Sequence, residues 1–379
     1  MVNRIVVALL VSVLHAFAAA SCWAAGVVLP PTFVTQDLLA ERYESSAPGA
    51  MSVAVGGCAA ASNNIQSLWT IANRKQPARG IDTSSPYASA QVGQWLRISD
   101  GGWIVATGNG FRDHYAGNHD AAQLWNDLHT AVRSQVNYYP NASDLHVAAQ
   151  WYGVGRDIPF RVRALEGNCE VFARYISAND LLARTLVGSV EGADFQGIVR
   201  IISATPGSSR IRGRGWSLDA RTTAKLGQRW EGLFSVEGIL GQVEWRNVEV
   251  QDAFVLSPRV FQDPQGFYHE AGEISGVATR KNLTLDVLRR CRVDVLRKGK
   301  RTDLIAGCVW RQGFDPSPNL GAAANQFRGW TPFARVYPTE SRCELGAVGR
   351  GWLVSLSADG WLFSAPRSLA LDVSVGTAW

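Results

Sequence analysis

Along Ser368-Leu369-Ala370-Leu371-Asp372-Val373-Ser374-Val375-Gly376-Thr377-Ala378-Trp379 the larger apolar side chains fall on every second position. Leu369, Leu371, Val373, Val375, Thr377 and Trp379 share one face, so the segment predicts a β-strand with a single apolar side. Two hairpins carry the same alternation. With Gly227-Gln228-Arg229 as the turn, Trp216, Leu218, Ala220, Thr222 and Ala224 fall opposite Leu240, Gly238, Val236, Phe234 and Gly232. The other face then sets Asp219 against Glu237, Arg221 against Ser235 and Lys225 against Glu231. With Gly299-Lys300 as the turn, Val295 meets Leu304, Val293 meets Ala306, Cys291 meets Cys308 and Arg289 meets Trp310, while Arg290, Arg292 and Asp294 take the polar face. Further strands are predicted at 145–153, 160–166, 195–203, 327–337 and 344–356.

A chain that ends on an aromatic at the apolar phase of an alternating strand resembles the closing strand of Gram-negative outer-membrane β-barrels. Strands apolar on one face and charged on the other, joined by very short turns, are similar to that class throughout. The resemblance implies an all-β, antiparallel up-and-down transmembrane barrel of about 12 strands, within a range of roughly 8 to 14. It implies outer-membrane lipid as the surroundings and the barrel-assembly machinery as a partner, with Leu371, Val373, Val375 and Trp379 as the assembly signal. Asp219, Arg221, Lys225, Glu231, Glu237, Arg290, Arg292 and Asp294 are then the candidates for lining the lumen. Counting back from Trp379 puts the turn 338–343 on the periplasmic side and the connections 241–281, 313–326 and 359–366 outside the cell. Trp216, Trp230, Trp330, Trp352 and Trp379 near strand ends suit an aromatic girdle. Arg289 is at odds with a lipid-facing row, where a midplane Arg costs about 2–4 kcal/mol.

The N-terminus sets Arg4 before an apolar run, Ile5 to Leu14, and the triplet Cys22-Trp23-Ala24. Residues 1–25 therefore read as a cleaved secretory signal peptide, too short in its apolar run to span a bilayer. Residues 26–140 are less regular: a periplasmic subdomain, a plug or the first strands. Asp100-Gly101-Gly102 is a hairpin signal there, and 120–134 places Leu124, Leu128, Ala131 and Val132 at helical spacing with Asp120 as cap. Residues 141–379 are the barrel.

Composition agrees with this reading. The 379 residues are 46% hydrophobic and 18% charged, with 14 Trp, 37 Gly and 2 Met, which excludes a disordered chain, a coiled coil or a collagen. The net charge of +5 is spread along the chain and no nucleic-acid partner is expected. Five cysteines follow the signal, Cys58, Cys169, Cys291, Cys308 and Cys343, an odd number with no zinc spacing; free thiols at Cys291 and Cys308 are expected over a strained bridge.

Two loops bring His beside carboxylates, Asp113, His114, Asn118, His119 and Asp120 in RDHYAGNHD and Tyr268-His269-Glu270. Neither spacing matches a metal or catalytic motif, so no catalytic, cofactor or metal residue is assigned and no cofactor is expected. The function expected is a porin-like passive channel for small polar solutes or a structural envelope protein of the outer membrane. The alternative is a soluble periplasmic or secreted all-β protein that binds carbohydrate through Trp or hydrolyses it through paired carboxylates.

Overall fold

The computed structural model describes residues 26–27, 51–64, 87–130, 137–162, 165–191, 194–204, 213–262, 268–312, 316–324, 329–359 and 366–378. In chain order the strands are β1 (Gly26–Val27), β2 (Ser52–Asn63), β3 (Tyr87–Asp100), β4 (Trp103–Gly117), β5 (Asn137–Tyr138), β6 (Asn141–Val162), β7 (Leu165–Glu191), β8 (Asp194–Ser203) and β9 (Gly213–Leu226). They continue as β10 (Trp230–Gln262), β11 (Tyr268–Val287), β12 (Arg290–Arg297), β13 (Thr302–Arg311), β14 (Ser317–Ala324), β15 (Trp330–Tyr337), β16 (Arg342–Gly349), β17 (Trp352–Asp359) and β18 (Ser368–Ala378). One helix, α1 (His119–Thr130), follows β4.

Antiparallel pairing runs from β2 through β3, β4, β6, β7, β9, β10 and β12 to β18, and β18 returns to β2, closing a barrel of 14 staves. Closure removes the sheet edges that would otherwise expose unpaired backbone groups. The count exceeds the expected 12 because β2, β3 and β4, inside the segment 26–140, supply three staves. Small residues on both of their faces, such as Gly56-Gly57 and Gly108 to Gly110, blur the period-two signal.

Three staves are extended in line by a second strand. β5 continues β6 along β7, β8 continues β9 between β7 and β10, and β11 continues β12 along β10. β7 (27 residues) and β10 (33 residues) therefore rise far above the wall formed by β12 and β14 to β17, each of 8 residues.

Tight turns collect at one end. Gly101 and Gly102 both take positive φ (54° and 80°), as a two-residue hairpin twisting with its strands requires. The turns at 227–229, 298–301 and 350–351 lie at that end, and so does the chain terminus, because Val375 pairs with Trp352. The turn Pro338–Glu340 lies at the other end, where Arg342 pairs with Asp359, so its periplasmic assignment beside Trp379 is corrected. The segment 344–356, read as one strand, is two strands around Arg350-Gly351, and 160–166 is divided between the end of β6 and the start of β7. The presumed loops 313–326 and 241–281 hold β14 and most of the β10–β11 hairpin.

The β9–β10 register matches the expected Ala224–Gly232, Thr222–Phe234 and Ala220–Val236 pairs, then shifts so that Leu218 meets Leu240. Gly238 turns out of the ladder at φ 64°, and its N–H donates to Asp219 Oδ1 at 2.8 Å. Asp219 therefore faces a bulge and not Glu237. In β12–β13 the pairing is centred one residue beyond the Gly299-Lys300 pair, so Val293 meets Cys308 and Cys291 meets Trp310. Cys291 and Cys308 are not directly opposed.

Candidate functional site

The wall is apolar outside. Alternation sends Val154, Ile158 and Val162 of β6, Val171 of β7, Leu240 of β10 and Leu371, Val373 and Val375 of β18 outward, and all are exposed. Tyr152, Tyr175 and Trp216 form one outward row across β6, β7 and β9, each about half exposed. The next outward row toward the long-loop end is polar: Gln94, Asn109, Gln150, Ser177, Arg214 and Glu244 in register. At the tight-turn end sit Trp103, Trp230 and Trp352, with the Arg156 guanidinium 4.6 Å above the Trp103 ring.

From Trp216 to Leu226 is ten residues, which at about 3.3 Å per residue and a tilt near 40° rises roughly 25 Å, the height of the apolar band of a membrane-spanning barrel. Beyond the upper row outward charges appear and pair with each other: Asp113 with His146, Asp144 with Arg184, and Asp252 with Arg200. The hydrogen bond from Arg200 holds the Asp252 carboxyl below its ordinary value. Arg289, the residue at odds with a lipid-facing row, lies outside the strands at the junction of β11 and β12, its backbone bonded to Gln312.

Inside, the face is charged and buried. Asp219 and Asp294 are 0% exposed, and Arg221, Glu231 and Glu237 are at 9% or less. Arg290 and Arg292 are half-buried, and Lys225 is exposed at the tight-turn end. Lys225 is the Cα partner of Glu231, yet the ion pair to Glu231 comes from Lys298 at 2.5 Å. Asp219 is held by Arg174 Nη2 at 2.7 Å, and Asp294 by Arg292 Nε at 2.6 Å.

Sequence reasoning missed the other half of this lining. Arg97 makes a two-pronged bond to Glu170 with both contacts at 3.0 Å, while Arg335 approaches Glu344 at 3.6 Å and Tyr337 donates to it at 2.7 Å. These residues share a period-two phase with identified lining residues, but the phase becomes readable only once the staves of β3, β7, β15 and β16 are placed.

Between the charges run apolar patches. Leu233, Leu296, Ile305, Ala323, Phe333, Val348 and Leu353 form an inward belt from β10 round to β17 near the tight turns. Trp95, Ile104, Trp151, Phe172, Val243 and Trp245 belong to a second cluster on the other half of the wall. Several of these rings lie flat over glycines of the next stave: a Cβ on Gly108 would sit 2.6 Å from Trp151, and one on Gly153 would sit 2.4 Å from Phe172. Glycine lets the aromatic cover the neighbouring strand instead of filling the lumen.

The first His segment is split between the two faces of the wall. Asp113 and His114 lie in β4 and point to opposite faces of the wall, as strand alternation demands. Asn118, not Asp120, caps α1: its Oδ1 accepts the Ala121 N–H at 3.0 Å and the Asn141 N–H at 3.0 Å. Asp120 accepts the Tyr139 N–H at 2.8 Å. Both lock the loop onto β6. Tyr268-His269-Glu270 lies in β11. The cysteines 58, 169, 291, 308 and 343 are free thiols, with Cys58 and Cys291 buried. Trp379 and the segment 1–25, expected to be a signal peptide, lie outside the described residues.

No protein-family model matches the chain, and no curated protein does. Solved structures with a similar course of chain are Gram-negative outer-membrane β-barrels. The toluene transporter TodX of Pseudomonas putida is 8% identical with a TM-score of 0.41, covering 94% of each chain. A FadL homologue of Pseudomonas aeruginosa is 7% identical with a TM-score of 0.37, over 94% of this chain and 95% of that one. The translocator domain of the autotransporter NalP of Neisseria meningitidis is 10% identical with a TM-score of 0.28, over 90% and 92%.

Proposed function

We propose that the protein is an exported outer-membrane barrel that conducts small polar solutes, with residues 1–25 removed on export. One observation carries the reading: the sheet is inverted relative to a soluble protein. A closed wall of 14 staves exposes Leu, Val, Tyr and Trp over a band of about 25 Å and buries Asp, Glu and Arg on its inner face. A soluble sandwich or a sugar-binding barrel would keep its valines and leucines inside, so the carbohydrate reading loses its support.

Interior charges of both signs, paired around the wall, favour solutes that exchange hydration for polar side chains. The apolar belt at Leu296, Ile305 and Phe333 lines the way to the tight-turn end. The apolar outer face is read as meeting outer-membrane lipid, with the barrel-assembly machinery as the partner that inserts it.

The test is conductance. Full-length mature protein, refolded in detergent and added to a planar phospholipid bilayer, is expected to give discrete steps in potassium chloride. Barrel protein that migrates as folded on a heat-modifiability gel yet gives no steps would leave an envelope protein without a passage.

A further inference from the structure

Most interior arginines have a carboxylate. Arg97 and Arg221 share Glu170, Arg174 holds Asp219, Arg292 holds Asp294, Arg335 approaches Glu344 and Arg342 bonds Glu340 at 2.8 Å. Three arginines break this pattern. Among the described residues the side chains of Arg112, Arg290 and Arg311 make no hydrogen bond and no ion pair, and Arg112, only 7% exposed, has its Nε buried without an acceptor.

The three are within electrostatic reach of one another although they come from different walls. Arg290 and Arg311 are direct cross-strand partners in β12 and β13, both on the inward phase, an arrangement that costs energy for like charges. Four staves, β6, β7, β9 and β10, separate β4 from β12, yet the charges of Arg290 and Arg311 both act on Arg112 across the barrel. No carboxylate counters them at Arg112. Glu237 is the Cα partner of Arg290, Asp372 on β18 is within reach of the Arg290 charge, and Glu340, within reach of Arg311, is engaged by Arg342. Val147 and Leu181, both buried and in register beside Arg112, give the spot an apolar flank.

A buried guanidinium without an acceptor is expensive, and guanidinium groups whose charges reach one another supply donors that suit a planar or tetrahedral oxyanion. We propose that Arg112, Arg290 and Arg311 form a binding site for the oxyanion group of a passing solute, a phosphate, sulfate or carboxylate, at the long-loop half of the barrel interior. The inference rests on the reading of the barrel interior as a solute passage, and it deepens that reading from polar solutes in general to anions. Placed at the upper ends of β4, β12 and β13, above the apolar belt, the site would concentrate anions before they reach that belt.

Thermal unfolding of the detergent-folded, full-length mature protein tests it, with sodium phosphate against sodium chloride at equal ionic strength. Phosphate is expected to raise the midpoint in a saturable way, as any ligand of the folded state does. Arg112→Met and Arg290→Met are each expected to weaken apparent phosphate affinity at least tenfold, and Arg112→Met to raise the midpoint without phosphate by removing an uncompensated charge. Arg350→Gln, at a tight turn, should leave the phosphate effect unchanged. Phenyl phosphate binding more tightly than inorganic phosphate would mark an organic solute, and equal binding the free ion. No phosphate effect beyond that of chloride, or an effect that survives both Met substitutions, overturns the site. Bilayer conductance separates this from the channel reading: saturable phosphate binding without conductance keeps the site and removes the passage, whereas conductance with unaltered anion preference in the Met variants does the reverse.

Discussion

Arg174 Nη2 donates to Asp219 Oδ1 at 2.7 Å with both side chains essentially sealed from solvent, at 1% and 0% exposure. The same oxygen accepts the Gly238 N–H at 2.8 Å, so one carboxylate joins β7 to β9 and fixes the bulge that shifts β10. Asp219→Asn retains the shape and removes the charge. It leaves Arg174 buried and uncompensated, and unfolding by urea in phospholipid vesicles should show a loss of about 3–5 kcal/mol. Arg174→Met combined with Asp219→Asn should recover part of that loss. A double variant as unstable as the sum of the singles would show the two residues to be uncoupled.

The inversion of the sheet predicts a labelling pattern in a background where the native cysteines are replaced by serine or alanine. Leu240→Cys, 54% exposed and outward, should react in intact membranes with a lipid-soluble maleimide and be protected from a charged, water-soluble thiol reagent. Gln228→Cys, exposed in the tight turn between β9 and β10, should behave the opposite way once the tight-turn side is accessible. Rapid reaction of Leu240→Cys with the charged reagent would place that face in water and end the membrane reading.

How much of this was legible in the sequence depended on how local the deciding contact is. Alternation in 216–240 identifies the inward face at Asp219, Arg221 and Glu231, because period two belongs to the strand itself. The partner of Asp219 was not legible, since Arg174 lies 45 positions away and the bulge that brings them together depends on that very contact. The β12–β13 turn is centred one residue beyond the Gly299-Lys300 pair: Lys298 N–H bonds Arg229 O at 2.8 Å in the neighbouring turn, and Gly299 N–H bonds Asp303 Oδ1 at 2.9 Å. The resulting slip is two residues, which keeps every side chain on its face; a slip of one would have reversed them. The hairpin of β3 and β4 was legible from Asp100-Gly101-Gly102, whereas β2 escaped because a strand of Gly and Ala has almost no amphipathic contrast, and the strandless look of 313–326 came from Pro316 just before β14 and Pro318 within it.

Orientation follows from the ends of the barrel. The turn at Pro338–Glu340 and the tight turn at 227–229 lie at opposite ends. In the outer-membrane arrangement the tight turns, and with them the chain terminus, face the periplasm. A short epitope inserted between Thr339 and Glu340 should be recognised by antibody on intact cells, and the same epitope after Gln228 only after permeabilisation. The reverse pattern would turn the barrel over.

Outward placement of Val373 at the middle of the closing strand makes the last prediction quantitative. Val373 is 36% exposed on the lipid phase and pairs with Val354 on one side and Gly57 on the other. A cation near the midplane of that face should cost about 2–4 kcal/mol, so Val373→Arg should lower the urea midpoint well beyond Gln228→Arg, which changes only a turn and should stay within about 0.5 kcal/mol. Assembly separates stability from recognition. If Leu371, Val373, Val375 and Trp379 are what the assembly machinery reads, deletion of Trp379 should reduce the heat-modifiable band in cells while refolding into vesicles in vitro remains near that of the parent protein. Equal loss in cells and in vesicles would make Trp379 a packing residue, and no loss in either would remove the terminal strand from the assembly signal.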